Sequence, residues 1–405
     1  MPSFTEARSI ILDRVAPLGV ERVDILEAVG RVLAENLIAP WEMPLCDNSA
    51  MDGFAVRADD CGEIPVSLKV TGYIPAGGRP SAPVEPGCAI RIMTGAPVPA
   101  GCDAVVPVEE TEDEGGTVRV TGTVARRQHI RFKGEDVATG DMVIARGTLL
   151  QPPEISMLAS FGKALVPVFR KARVAILSTG DELVELGESP APGTIINSNA
   201  LSLAAAVRLC GAEPVIIGIA RDNRESHREK LAEGLKADVL ITSAGVSAGD
   251  RDLVRDVLAE LGAEQLFWKV DMKPGGPTAF SMHGPVPVFS LPGNPVSTMI
   301  TFEFFVRPAL LRMMGHSRVV RPFVKATLLE EARKKPGKVN FLRVQATERD
   351  GRLVASTAGE QHTGILRTMV NANALVLLPR EASVVPAGSE VEMMILRDDV
   401  TMLER

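Results

Sequence analysis

Apolar residues recur at helical spacing over residues 4–18, where Phe4, Ala7, Ile11, Val15 and Leu18 are separated by charged positions. The spacing predicts an amphipathic helix. A second helix is predicted over 25–37, through Leu26, Val29, Leu33 and Leu37. From Met51 to Leu150 the pattern changes to short runs such as VSLKV, CAIRIM, DAVVPV and TVRVTG, separated by Gly and Pro turns. Such runs predict a β-rich module set between helical pieces. Pro152 and Pro153 then open a short helix through ISMLAS.

Residues 172–315 carry a different rhythm. ARVAILS, PVIIGI, DVLIT, QLFWKV and VPVFSL read as strands. Helices are predicted at LSLAAAVRLCG, closed by Gly211, at 224–236, at 252–261 and from Asn294 onward. Strands alternating with helices predict βαβ units and a mostly parallel sheet. From Arg321 the text returns to strands, FVKATLL, NFLRVQAT, RLVASTA, ALVLLP and EVEMMIL, which predict a β-barrel-like C-terminal domain. The fold class is therefore multidomain α/β plus β. The expected division is 1–46 with 140–170, 47–139, 171–318 and 319–405.

Composition narrows the partners. A chain of 405 residues exceeds one compact core, so several domains are expected. It holds 44 basic and 51 acidic residues, a net charge of −7, which gives no overall field toward nucleic acid or anionic membrane. Aromatics make up 4%, too few for a base-stacking platform. No run of 18 apolar residues occurs; the stretch 296–314 is broken by Glu303 and Arg307. The start, MPSFTEARSI, lacks the basic and apolar regions of a signal peptide. Five cysteines without CxxC spacing predict neither a zinc site nor a disulfide framework, and a reducing cytoplasm is expected.

The 36 glycines and 29 prolines are spread along the chain without a period, and four polar or glycine-bearing loops follow strands of the α/β segment: STGDE (178–182), RDN (221–223), TSAGVSAGDRD (242–252) and LPGNP (291–295). Ligands of open α/β sheets sit at the carboxyl ends of strands. Ser243, Gly245, Ser247 and Gly249 offer hydroxyls and open backbone N–H groups just before a helix, which suits either a phosphate or a simple capped turn. Asp181, Glu182, Asp222, Asp250 and Asp252 share these loops. Together they suit Mg²⁺ beside a phosphoryl group, or separately helix caps and solvated charges. In WKVDMKPGGP, Lys269 and Lys273 either face an anion or lie in solvent. In LPGNP, Pro292 and Gly293 precede Asn294, placed to cap the following helix. His129, His227, His283, His316 and His362 are scattered and predict no histidine metal site or triad. CDNSAMDGFAV (46–56), RIMTGAPVP (91–99) and KGEDV (133–137) contribute Asp47, Asn48, Asp52, Thr94, Glu135 and Asp136 as polar candidates.

DNSAMDGFAV, RIMTGAPVP, KGED, STGDEL, TSAGVSAGDRD, WKVDMKPGGP and LPGNPVS stand in an order that resembles the MoeA family, which includes the E domain of gephyrin and plant molybdenum insertases. The likeness spans essentially the whole chain. It implies a molybdopterin molybdotransferase that takes adenylylated molybdopterin and molybdate, inserts the metal at the dithiolene and releases AMP with Mg²⁺. It implies a molybdopterin-binding α/β domain, an inserted β domain, a C-terminal β-barrel and a homodimer with shared active sites. The molybdopterin adenylyltransferase is an implied partner.

Carried over by similarity, Asp222 and Asp252 hold Mg²⁺ and Glu182 supports the site. Ser247, with Ser243, Gly245, Gly249 and Asp250 around it, binds the pterin-linked phosphates, beside Pro292, Gly293 and Asn294. Lys269 and Lys273 meet anionic groups. Asp52, Thr94 and Asp136 come from the partner subunit. Arg343, in NFLRV, resembles an arginine that anchors molybdate, and Thr363, in GEQHTG, stands where the family carries a substrate-binding hydroxyl in a GHQGS-like segment. Two departures are that Gly276 stands where the family pattern has a lysine, and that Ala244 replaces a glycine, which a negative φ would accommodate. Other readings are a molybdopterin-binding scaffold and a molybdopterin adenylyltransferase.

Overall fold

The computed structural model describes residues 1–245 and 253–397. The chain divides into two compact units, residues 1–34 with 147–151 and 165–405, and residues 35–146 with 152–164.

The larger unit begins with the helix Phe4–Arg14. Ser3 and Glu6 form a reciprocal capping box at its start, and Phe4, Ala7 and Ile11 are buried. Phe4 packs edge-on against Phe304 and Phe341, with ring centroids 5.6 and 5.3 Å away. The helix expected over 25–37 does not form. Leu26 and Val29 are 72% and 51% exposed, so the apolar spacing there has no core to face. A turn closes at Gly30, whose φ is 75°. Beyond it the backbone pairs over long range, Leu33 N–H to Thr148 O at 2.9 Å and Ala34 N–H to Pro167 O at 3.0 Å.

The α/β part is a six-stranded sheet in the order Glu213–Ala220, Arg173–Thr179, Val239–Ser243, Val286–Leu291, Ala279–His283, Glu264–Phe267. The first four run parallel, and Ala279–His283 runs antiparallel to its neighbours on both sides. The strand Ala279–His283 was not anticipated. It follows a KPGGP turn and reads as an irregular mixture, so no period marks it.

Both faces of the sheet are covered. Val174 and Ile176 pack with the helix Ser198–Leu209 and the long helix beginning at Pro295. Ala175 and Leu177 pack with Arg224–Gly234 and Leu253–Glu260. Burial on both faces is why the strand reads as an unbroken apolar run. The long helix runs through a π turn at Phe302–Val306 before Arg307–Met313.

The C-terminal strands Val324–Leu328, Val339–Arg349, Arg352–Thr357, Ala374–Leu378 and Glu390–Ile395 close into a five-stranded barrel. Closure is complete because Val339–Arg349 pairs with both Arg352–Thr357 and Ala374–Leu378. Leu328, Val344, Ala346, Ala355, Val376 and Met393 fill its interior. The short strand Met272–Lys273, from the loop joining two strands of the α/β sheet, adds in parallel to Val339 and Asn340.

The smaller unit is built on a six-stranded sheet, Ala104–Pro107, Gly53–Val56, Cys88–Ile92, Val66–Ile74, Thr117–Val120 and Thr111–Asp113 in spatial order. Phe54 and Val56 enter one core, Ala55 the other. Among the described residues no helix is long and apolar enough to cross a membrane.

Candidate active site

The winding of the α/β sheet reverses between Arg173–Thr179 and Val239–Ser243, since the chain leaves the first strand to one side and later returns to the other. Their carboxyl ends carry the STGDE and TSAG loops, and a cavity of about 420 Å³ opens there. Glu182 and Asp222 wall it together with Thr179, Gly180, His227 and Gly245.

Two glycines shape this wall. A Cβ at Gly180 would collide with the Glu182 carboxylate, which folds back over it, and a Cβ at Gly245 would collide with Val254. Both have positive φ, 135° and 75°. Ala244 also lies in the left-handed region, at φ 77°, so the negative φ expected for it is not found. Its methyl group is carried at a conformational cost of about 1–2 kcal/mol. The Asp181 and Asp222 loops are tied reciprocally: Asp222 N–H donates to Asp181 Oδ1 at 3.1 Å and Asp181 N–H to Asp222 Oδ2 at 3.4 Å.

His227 joins the site unannounced by any motif. It is 2% exposed on the buried face shared with Leu231 and Gly234. Its Nδ1 lies 3.0 Å from the Asn223 carbonyl, so Nδ1 carries the hydrogen and Nε2 is bare in the neutral ring. The available signal was a polar residue on an otherwise apolar helix face just after RDN.

A second cavity of about 130 Å³ adjoins the first, sharing Thr179, Glu182 and Ala244. Asn197, Asn199, Ser243 and Gly293 line it. Ser243 Oγ accepts a hydrogen bond from Asn199 Nδ2 at 2.8 Å. Asn294 caps the long helix, accepting from Val296 N–H at 3.1 Å and Ser297 N–H at 3.4 Å, while the Pro292 carbonyl accepts from Thr298 Oγ1 at 2.5 Å. Asn197 Nδ2 and Asn199 Oδ1 are buried without a hydrogen-bond partner among the described residues. Each such atom costs about 1–3 kcal/mol. Ser247, Gly249, Asp250 and Asp252 lie outside the described residues.

Lys269 and Lys273 are exposed and wall neither cavity. Near them, Lys338 Nζ stands 3.6 Å from where a Cβ on Gly276 would be. Lys334 Nζ donates to the carbonyls of Lys338 and Arg380 at 3.0 and 3.1 Å, and Arg380 pairs with the buried Asp271 at 2.7 Å. Burial holds the Lys334 ammonium below its ordinary value.

Arg343 is 1% exposed. Its Nε donates to Thr368 Oγ1 at 2.7 Å and its Nη2 to the His362 carbonyl at 3.3 Å. Thr368 is the hydroxyl it reaches. Gln361 brackets the Arg343 backbone, accepting from its N–H at 2.9 Å and donating to its carbonyl at 3.0 Å. Among the described residues no carboxylate pairs with this guanidinium, and burial lowers its pKa.

In the smaller unit three separate motifs converge. Asn48 and Ser49 pair with Arg131 and Ile130. Asp47 Oδ1 accepts from Lys133 N–H at 2.8 Å, and Val98 N–H donates to the Asp47 carbonyl at 3.0 Å. Asp52 Oδ1 accepts from both N–H and Oγ1 of Thr94 at 2.7 Å. These bonds, backbone first, hold the Asp52 carboxyl below its ordinary value. Glu135 Oε2 accepts from Phe132 N–H at 2.6 Å, and Asp136 is exposed beside it.

Comparison with known proteins agrees with this arrangement along the whole chain. Family models described as the MoeA N-terminal region (domain I and II), the probable molybdopterin binding domain and the MoeA C-terminal region (domain IV) match residues 2–162, 175–312 and 325–396. A Nostoc protein named molybdopterin molybdenumtransferase is 37% identical over 98% of this chain and 94% of that protein. The chain belongs to the MoeA family. Molybdopterin molybdenumtransferase 2 of Mycobacterium tuberculosis is 36% identical over 97% of this chain and 99% of its own length. The crystal structure of the MoeA molybdopterin biosynthesis protein of Pyrococcus horikoshii superposes with a TM-score of 0.84 at 30% identity, covering 98% of this chain and all of that one. The MoeA fold therefore holds here, with its molybdopterin-binding domain and closed barrel.

Proposed function

We propose that the chain is a molybdopterin molybdenumtransferase that inserts molybdate into adenylylated molybdopterin with release of AMP. The observation that carries the reading is the cavity at the reversal point of the α/β sheet, walled by two carboxylates and by Gly180 and Gly245, in a chain whose full-length relatives bear that name. Glycine at 180 and 245 lets the Glu182 carboxylate and Val254 pack directly on the main chain that walls the cavity.

Glu182 and Asp222 are hard oxygen donors on one wall, a set suited to Mg²⁺, which takes one or two carboxylates and completes its shell with water and phosphate. Among the described residues no group of three His, Cys, Asp or Glu could hold a metal, and an Mg²⁺ held by two carboxylates would complete its shell with water and phosphate oxygens. We assign Asp222 and Asp252 as the ligands, with Glu182 in support. When bound, Mg²⁺ supplies charge neutralisation at the adenylyl phosphate.

Molybdate is a tetrahedral dianion. Arg343, which pairs with no carboxylate among the described residues, offers it a directional guanidinium, and Lys269, Lys273 and Lys338 offer point charges. Lys338 Nζ, 3.6 Å from where a Cβ on Gly276 would be, puts an ammonium close to the position at which the family pattern has a lysine. The dithiolene sulfurs belong to the substrate, so no cysteine of the chain is needed.

Turnover of adenylylated molybdopterin with molybdate and Mg²⁺ tests the reading through AMP release. Asp222→Asn is expected to slow release about a hundredfold. Release at the wild-type rate removes Asp222 from the site, and no release by the wild type removes the function.

We assign Asp52, Thr94 and Asp136 to the substrate site of the partner in a homodimer. Mixing inactive Asp222→Asn and Asp52→Asn chains is then expected to restore about a quarter of wild-type activity, because each mixed dimer regains one intact site. No recovery on mixing removes the shared site.

A further inference from the structure

Two asparagines at the start of the helix Ser198–Leu209 are held in fixed orientations by backbone groups. Asn197 Oδ1 accepts from Ala200 N–H at 3.4 Å and from Ser178 Oγ at 2.8 Å. A backbone N–H only donates, so the oxygen must point to it. The atom left over is Nδ2, a donor. Asn199 is fixed the other way. Its Nδ2 donates to the Gly293 carbonyl and to Ser243 Oγ, both at 2.8 Å, and the atom left over is Oδ1, an acceptor.

Both residues line the cavity of about 130 Å³ that opens beside the carboxylate-walled one, and Asn197 is 3% exposed. Capping does not explain this. An N-cap needs only an acceptor, which Ser, Thr or Asp supplies as well. A buried amide donor is surplus to the cap. Leu183, Ile196 and Pro295 give the same cavity apolar walls. A few placed polar groups in an apolar recess are what orients a flat ring.

We propose that Asn197 and Asn199 read the hydrogen-bonding edge of a fused nitrogen heterocycle on the substrate, Nδ2 donating to a ring acceptor and Oδ1 accepting from the neighbouring ring donor. The inference rests on the function proposed above. Its substrate carries two such edges, the pyrimidinone of the pterin and the amidine of adenine. The small cavity takes one ring edge while phosphates remain in the larger. Such paired groups discriminate strongly, because an analogue lacking one partner leaves the other buried and unpaired.

Asn197→Asp keeps the cap acceptor and replaces the donor with a charged acceptor. Calorimetry on the full chain would use AMP and molybdopterin as probes, with pyrophosphate as a control for the larger cavity. The variant is expected to keep a cooperative thermal transition and the wild-type pyrophosphate affinity. It is expected to bind one of the two heterocycles about 10–100-fold more weakly. Loss with AMP assigns the recess to adenine, and loss with molybdopterin assigns it to the pterin. Unchanged affinity for both probes overturns the proposal, and so does an equal loss for pyrophosphate. Asn197→Ser, which also caps, gives the same readout should the aspartate variant unfold. AMP release by the wild type is measured separately. Normal release with undiminished heterocycle affinity in both variants overturns this inference and leaves the proposed function standing.

Discussion

Ala244 sits at φ 77° with a methyl group that the left-handed region disfavours. A glycine there would be relaxed but would lose more freedom on folding. Ala244→Gly is expected to stabilise the chain by about 1 kcal/mol in thermal or urea unfolding; a destabilised variant contradicts the strain. Arg343 poses the opposite case. A guanidinium 1% exposed that pairs with no carboxylate among the described residues adds little to stability, and burial already works against its charge. Arg343→Met is expected to unfold no more easily than wild type while losing molybdate binding, measured by melting temperature and by oxyanion titration. Thr94 holds the Asp52 carboxyl low through two 2.7 Å bonds. Thr94→Val removes one, so the Asp52 carboxyl is expected to titrate at higher pH, followed by its carbon-13 resonance. Much at this scale was legible. Gly180, Gly245 and Asn294 were marked by the loops that contain them. His227, Asn197 and Asn199 were not, because an N-cap asparagine or a histidine on a helix has an ordinary structural use, and only burial reveals an unused atom.

Elements were legible where their period was strong. The five barrel strands and the alternating βαβ order follow directly from apolar runs separated by turns. The period failed at 25–37, where apolar spacing without a facing core gave a turn and a paired segment instead. It also failed at Ala279–His283, too short and mixed to signal a strand. The anchoring of the sheet was invisible to any period. Arg170 grips Asp238 with two hydrogen bonds, at 2.7 and 2.8 Å, and Arg173 N–H adds a third at 2.8 Å. Burial pushes the Asp238 carboxyl up, but these bonds and the arginine charges outweigh it and leave the pKa lowered. A depressed carboxyl adds stability in full above its ordinary value and loses it as pH falls through the lowered one. Asp238→Asn is therefore expected to melt earlier than wild type at neutral pH, with the gap closing under strong acid. A gap that stays constant in acid contradicts the linkage.

Across the whole molecule the cysteines behave as packing residues. Burial pushes the Cys61 thiol up to about 11, and those of Cys102 and Cys210 to about 12, whereas Cys46 is exposed. A maleimide near neutral pH is expected to modify Cys46 well before these three, and Cys46→Ser to abolish the fast phase. The route of the chain between α/β sheet and barrel was not legible in the sequence. The strand Met272–Lys273 leaves the loop between two strands of the sheet to pair with a barrel strand more than sixty residues further on. The main chain is thus stitched across a boundary that composition would draw as a clean cut near 318. A gene split at that point would yield halves that depend on each other, the front carrying a strand with no neighbour and the back a barrel missing its outer flank. Coexpressed, they would have to find one another through that seam, so domain shuffling by exchange of the C-terminal barrel alone would transplant a surface and leave behind the thread that fastens it.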